Sequence, residues 1–158
     1  MKNSKSVLLI VAITSIGLIA FALYLQHVMQ MLPCPMCILQ RYAFAAVALI
    51  AIVFAFLPRG AARVGAGLAA LAAITGAGLA GRHLWIIANP SISCGIDPLE
   101  TSLNAIPTAK LMPFLFKADG LCTTLYEPIL GLSIPQWALA WFVIFALVLT
   151  WVAFRRSR

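Results

Sequence analysis

Four apolar stretches, each about as long as a bilayer crossing, limit this chain to very few architectures. They cover residues 7–25, 38–57, 64–87 and 137–154, and a spanning helix needs about 20 mostly apolar residues. Inside a bilayer every backbone N–H and C=O must be satisfied within the protein, which leaves helices or closed barrels, and runs this long read as helices. Because 63% of the 158 residues are hydrophobic and only 9% are charged, little remains for a separate soluble domain. The expected fold is an all-α four-transmembrane-helix bundle, a single membrane domain over residues 1–158, with one long loop at residues 88–135. In that loop Leu111, Met112, Phe114, Leu115 and Phe116, next to Lys117, predict a short amphipathic helix lying in the membrane interface. The first stretch has features of a cleavable signal, with Lys2 and Lys5 ahead of it and Ala20-Phe21-Ala22 near its end. Its 19 residues exceed the roughly 7 to 15 of a signal core, so it is expected to remain as a span.

The charges orient the bundle. Four spans put both termini on one side, with residues 58–63, and that side holds Lys2, Lys5, Arg59, Arg63, Arg155, Arg156 and Arg158. On the other side Arg41, Arg82, Lys110 and Lys117 balance Asp97, Glu100, Asp119 and Glu127, so the net charge of +7 belongs to the first. Lys and Arg accumulate on the cytoplasmic face, which predicts cytoplasmic termini and an outer long loop. Cations spread over short membrane-flanking segments are explained by topology and anionic lipid, and no nucleic-acid partner is expected.

That orientation places Cys34, Cys37, Cys94 and Cys122 on the outer side, where disulfides persist. Four cysteines allow three pairings; the C-x-x-C spacing favours Cys34 with Cys37 and leaves Cys94 with Cys122. A bridge across a long loop is readily explained as a staple, but a C-x-x-C closes a minimal loop and restricts the unfolded chain little. Zinc is not expected, since Cys94 and Cys122 do not form a second C-x-x-C knuckle. Redox exchange accounts for the pair better. Pro33 and Pro35 predict a turn into a helix that starts near Cys37, and Arg41 follows one helical turn later on the same face. Unpaired N–H groups and a cation both stabilise negative charge on sulfur, and an arginine inside a span is a functional candidate by default. No haem, flavin or iron–sulfur pattern is present, and His27 and His83 lie in no ligand motif, so a diffusible quinone is the expected electron acceptor. Arg82, His83 and Trp85 close the third span at the level of Arg41 and are candidates to surround it, although Trp85, Tyr24, Tyr42 and Trp137 also fit an outer aromatic belt.

The C-x-x-C with Arg41 four residues beyond its second cysteine, the loop cysteines, and "SIPQWALAWF" opening the last span together resemble the disulfide bond formation protein B family, DsbB, over nearly the whole chain. The resemblance implies a protein-disulfide:quinone oxidoreductase of the bacterial inner membrane with catalytic Cys34, Cys37, Cys94 and Cys122. Its implied partner is a periplasmic thioredoxin-fold oxidase of the DsbA kind, reoxidised at Cys94 and Cys122 through a mixed disulfide on Cys94. Electrons would pass through Cys122 and Cys34 to the Cys34/Cys37 pair, and from Cys37 to ubiquinone or menaquinone. Arg41 matches the family's quinone-proximal arginine and His83 its third-helix histidine. Gln40 stands where family members often carry an acidic residue, and Pro-Met between Cys34 and Cys37 is unlike the commoner pairs. Two other readings fit less well. Vitamin K epoxide reductase-type enzymes place the C-x-x-C after the loop cysteines, whereas here it precedes them, and a non-catalytic four-helix scaffold with structural disulfides leaves Arg41 beside Cys37 unexplained.

Overall fold

The computed structural model describes residues 2–58, 60–89, 96–124 and 126–155, so Cys94, Arg59, Arg156 and Arg158 lie outside the described residues. Its long helices are α1 (Lys2–His27), α2 (Pro35–Phe56), α3 (Ala61–Ala88) and, after three short ones, α7 (Ile134–Phe154). All four are long and apolar enough to cross a membrane. Helices α2 and α7 begin ahead of the apolar runs because Pro35 and Pro135 occupy the first turn, where a missing N–H leaves no bond unmade. At the end of α1 the chain turns through Gln30 at φ 55°, and the Met31 N–H donates back to the Leu25 carbonyl at 3.1 Å. That closure lets the chain reverse into α2 within a few residues.

Helix α3 packs between α2 and α7 along their lengths, and α1 packs on α2, whereas α1 and α7 meet only over a short stretch. The reason is side-chain size. Ala62, Gly65, Ala66, Ala69, Ala73, Gly76 and Ala80 form a buried stripe of small residues down α3, which lets neighbouring backbones approach closely in a membrane bundle. At Gly76 a β-carbon would occupy the space of the Phe142 ring, and that ring in turn stacks on Phe44 at 3.9 Å. The tight seam thus holds α2, α3 and α7 as one block.

Both chain ends lie at one end of this block: Lys5 Nζ donates to the Leu57 carbonyl at 2.7 Å, and Arg63 donates to the carbonyl of Arg155. The opposite end is covered by the long loop, with α4 (Ile96–Ala105), α5 (Pro107–Leu111) and α6 (Pro113–Phe116). One amphipathic helix was expected over Leu111 to Lys117; instead the segment breaks at Met112 into two short helices. Pro113 has no N–H with which to continue α5, so it starts a new turn. The apolar side chains divide accordingly. Phe116 is buried and stacks on Tyr42 at 4.3 Å, while Leu111 and Phe114 are 80% and 55% exposed and point outward. The composition did not announce α4.

Candidate active site

Cys34 occupies the N-cap of α2 in extended conformation, and its Sγ accepts the Cys37 N–H at 3.3 Å. The capping geometry brings the two sulfurs to 2.9 Å from one another. Cys34 is buried and Cys37 partly so. Cys122 arrives from the loop, is also buried, and packs with Cys34, Met36 and Ile86. Hydrogen bonding with Cys122 and then Cys37, followed by burial, pushes the Cys34 thiol well above its usual range. Cys34 therefore holds its proton, and the first turn of α2 offers charge stabilisation to Cys37, its neighbour one turn on.

His83 reaches this cluster from α3. Its Nε2 lies 3.6 Å from Cys34 Sγ and 3.3 Å from the Cys122 carbonyl oxygen, and its Nδ1 lies 3.2 Å from Gln40 Nε2. Both His83 and Gln40 are buried. With the Gln40 amide donating to Nδ1, the ring presents Nε2–H to the Cys122 carbonyl and to sulfur. With the amide turned over, Nε2 becomes an acceptor within reach of the Cys34 thiol. An acidic side chain at position 40 would place a charge on this ring; glutamine keeps the contact neutral.

Arg41 is 6% exposed, so it does not snorkel to the membrane surface. Its guanidinium donates to Gln26 Oε1 at 2.6 Å, to the Leu115 carbonyl at 2.9 Å and to the Ala22 carbonyl at 3.3 Å. These three bonds join α1, α2 and α6 around one cation. No carboxylate pairs with it among the described residues, where the ion pair found is Lys117 with Asp119 at 3.0 Å. A buried guanidinium surrounded by neutral dipoles leaves a net positive field, and that field falls on a cavity.

The cavity has a volume of about 340 Å³ and is mostly apolar. Cys37, Arg41 and His83 line its polar end, while α1 contributes Phe21 and α7 contributes Trp137 and Trp141. An apolar slot with a few convergent polar groups is the usual form of a small-molecule site, and this cavity has that form. Separately, the donor atoms of Cys34, Cys37 and His83 lie within 4.8 Å of one another, close enough to share a thiophilic cation when both thiols are reduced.

The structure thus brings together Cys34, Cys37, Cys122, Arg41 and His83. Trp85 does not join them: it is 48% exposed, with the Arg82 guanidinium over its ring at 5.9 Å. It faces away because it lies two residues, about 200° of helix, beyond the inward-facing His83. The aromatic wall comes instead from Trp137 and Trp141, one turn apart on α7. Sequence reasoning overlooked Gln26 and Trp141. A glutamine in the last turn of an otherwise apolar helix was the available signal for the first.

Comparison with known proteins agrees with this arrangement. Residues 4–152 match the family described as disulfide bond formation protein DsbB. A disulfide bond formation protein B of Herminiimonas arsenicoxydans is 66% identical over 157 residues, covering 99% of each chain. One from Ralstonia nicotianae is 45% identical over 156 residues, covering 99% of this chain and 98% of the relative. A disulfide bond formation protein B 1 of Pseudomonas syringae pv. syringae is 43% identical over 159 residues, covering 100% and 94%. Four membrane-length helices, a capped C-x-x-C against a third buried cysteine, and matches that run almost from end to end lead to one conclusion: this chain belongs to the DsbB family of disulfide bond formation proteins.

Proposed function

We propose that Cys94 and Cys122 reoxidise a periplasmic thioredoxin-fold oxidase of the DsbA kind and that Cys34 and Cys37 pass the electrons to a quinone in the cavity. The chain is a protein-disulfide oxidoreductase of the DsbB family, and the steps follow from thiol–disulfide exchange. A partner thiolate attacks Cys94, giving a mixed disulfide and releasing Cys122 as thiolate. Cys122 attacks Cys34, the Cys34–Cys37 bond breaks, and Cys37 leaves as thiolate. The partner's second thiolate then releases Cys94, Cys94 attacks Cys122, and Cys34 is released. The partner is left oxidised, the loop disulfide is restored, and Cys34/Cys37 holds two electrons. With a quinone, ubiquinone or menaquinone, in the cavity as acceptor of two electrons and two protons, Cys34 and Cys37 would close their disulfide again.

The single observation that carries this reading is the contiguity of Cys122, Cys34 and Cys37 with the apolar cavity. Arg41 orients an oxygen acceptor toward the Cys37 end. His83, beside Cys34, is placed to move the proton that Cys34 must lose as its disulfide closes. The short contact between α1 and α7 leaves the cavity's side wall to those two helices, which is where a lipid-soluble substrate would enter. Purified protein mixed with reduced oxidase and a soluble ubiquinone analogue is expected to bleach the quinone absorbance stoichiometrically with oxidation of the partner. Absence of quinone consumption with every reduced thioredoxin-fold oxidase of the host would end the reading.

The same function requires the cysteines to face an oxidising compartment. The seven basic residues near the termini and the α2–α3 turn support cytoplasmic ends and a multi-pass placement in the inner membrane. Reporter fusions after Arg59 are expected to be active only as cytoplasmic reporters, and fusions at Asn104 only as periplasmic ones. The reverse pattern would put all four cysteines in a reducing compartment.

A further inference from the structure

Exchange between Cys122 and Cys34 asks a residue in a long loop to meet a residue on a helix, and the structure contains a device for that meeting. The N–H groups of Asp119 and Gly120 both donate to the Pro33 carbonyl, each at 3.1 Å. A carbonyl has two lone pairs, and here both are engaged by consecutive residues of the loop. On the other side of Cys122, Tyr126 Oη donates to the Leu32 carbonyl at 3.2 Å. The loop is therefore fastened to residues 32 and 33 both before and after Cys122, and Cys34 is the next residue along.

Two further features show that the seat is built. Asn104 at the end of α4 holds Ala118 from both directions, its Nδ2 donating to the Ala118 carbonyl and its Oδ1 accepting the Ala118 N–H, each at 3.0 Å. Ala118 is fully buried. At Gly120 a β-carbon would collide with the Leu32 carbonyl oxygen and lie 2.9 Å from the Leu32 carbonyl carbon. Gly120 does not have the left-handed φ that would demand glycine, so the requirement here is space: two backbones approach to hydrogen-bonding distance and no side chain fits between them. The Lys117–Asp119 ion pair is exposed on both partners and adds little.

We propose that Gly120, with the Leu32 and Pro33 carbonyls and Tyr126, is a positioning seat that sets the rate and equilibrium of exchange between Cys122 and Cys34. The inference rests on the relay proposed above. Holding two reacting groups in place replaces an encounter by a step within one structure, and small misplacements are costly. In the step concerned the Cys122 thiolate bonds to Cys34 Sγ, the Cys34–Cys37 bond breaks, and Cys37 carries away the electron pair; nothing is oxidised or reduced overall.

The test needs neither quinone nor partner, so its outcome is independent of the relay's own assay. In full-length protein carrying Cys37→Ser and Cys94→Ser, only Cys34 and Cys122 remain, and titration against a glutathione redox buffer gives their effective concentration. Adding Gly120→Ala is expected to lower that value about tenfold or more, the equivalent of about 1.4 kcal/mol. The control is the Cys34/Cys37 pair in a Cys94→Ser, Cys122→Ser background, whose value Gly120→Ala is expected to leave unchanged. Tyr126→Phe removes the bond to Leu32 without adding volume, and is expected to lower the Cys34/Cys122 value by roughly two- to tenfold, as for one hydrogen bond. It decides the matter if the alanine variant does not accumulate. An unchanged Cys34/Cys122 value would overturn the proposal, and so would an equal fall in both pairs, which would mean general damage to the fold.

Discussion

Cys122→Ser is expected to stop turnover with the partner oxidase, because Cys94 then has no disulfide to offer the partner dithiol. Cys94 alone is a thiol that a reduced partner cannot attack, and nothing carries electrons inward to Cys34. The burial of Cys34 makes the expectation strong. At 2% exposure, its sulfur is closed to a folded protein in solution, so a partner dithiol has no direct route to Cys34. The loss should be of the size seen on removing a catalytic nucleophile, ~10³-fold or more in kcat. After mixing with the oxidised oxidase, whose disulfide the Cys94 thiolate can open with release of the partner's second thiolate, non-reducing electrophoresis would show a mixed disulfide, and Cys94→Ser would abolish both turnover and that complex. Sustained turnover in Cys122→Ser would show that the partner reaches the inner pair unaided and that the loop cysteines are a staple.

Arg41→Ala is expected to weaken quinone reduction by roughly 10- to 100-fold in kcat/KM, the value of one or two hydrogen bonds from a charged donor. Arg41 lines the cavity and its guanidinium meets three neutral acceptors, so negative charge developing on the proposed oxygen acceptor in the cavity would be its electrostatic complement. Arg41→Lys retains the cation but cannot span Gln26, Leu115 and Ala22 with one ammonium, so a smaller loss is expected. Because Leu115 belongs to α6, the alanine variant should also loosen the loop, and partner exchange should slow to a lesser degree. Single-turnover mixing separates the two steps. Unchanged quinone reduction in Arg41→Ala would make this residue a structural tie between α1, α2 and α6 only.

The parts of this molecule that a sequence can announce are those whose chemistry is rare in their surroundings. Apolar runs of membrane length announce helices, and a C-x-x-C with an arginine one turn later stands out in a span that is otherwise Ala, Val, Ile and Phe. Which face of each helix lines the cavity is a different matter. In α1 and α7 the inward residues, such as Leu25 and Trp141, are as apolar as the lipid-facing ones, such as Ile13 and Trp151, so no periodic contrast marks the wall. Trp85 was a candidate for that wall and faces outward, since an aromatic residue near a helix end suits the membrane interface as well as a pocket. The resemblance implied that Cys122 meets Cys34, but the contacts that bring them together were hidden, because backbone groups make them: the Pro33 carbonyl and the N–H groups of Asp119 and Gly120 carry no sequence label. Pro113 did mark a break, although the hydrophobic run around it suggested continuity.

The narrow seam between α1 and α7 has a consequence for what the enzyme's kinetics measure. For a quinone entering between those two helices, as proposed above, the quantity that sets occupancy would be moles of quinone per mole of lipid, a surface density, and bulk molarity would have no direct meaning. Acyl chains and detergent tails are apolar and present in vast excess, and they compete for the same walls. Saturation curves taken in micelles therefore report the ratio of substrate to amphiphile, and diluting the protein into more detergent acts as competitive inhibition. On the proposed function, the steady state in a cell then follows the redox composition of the membrane quinone pool.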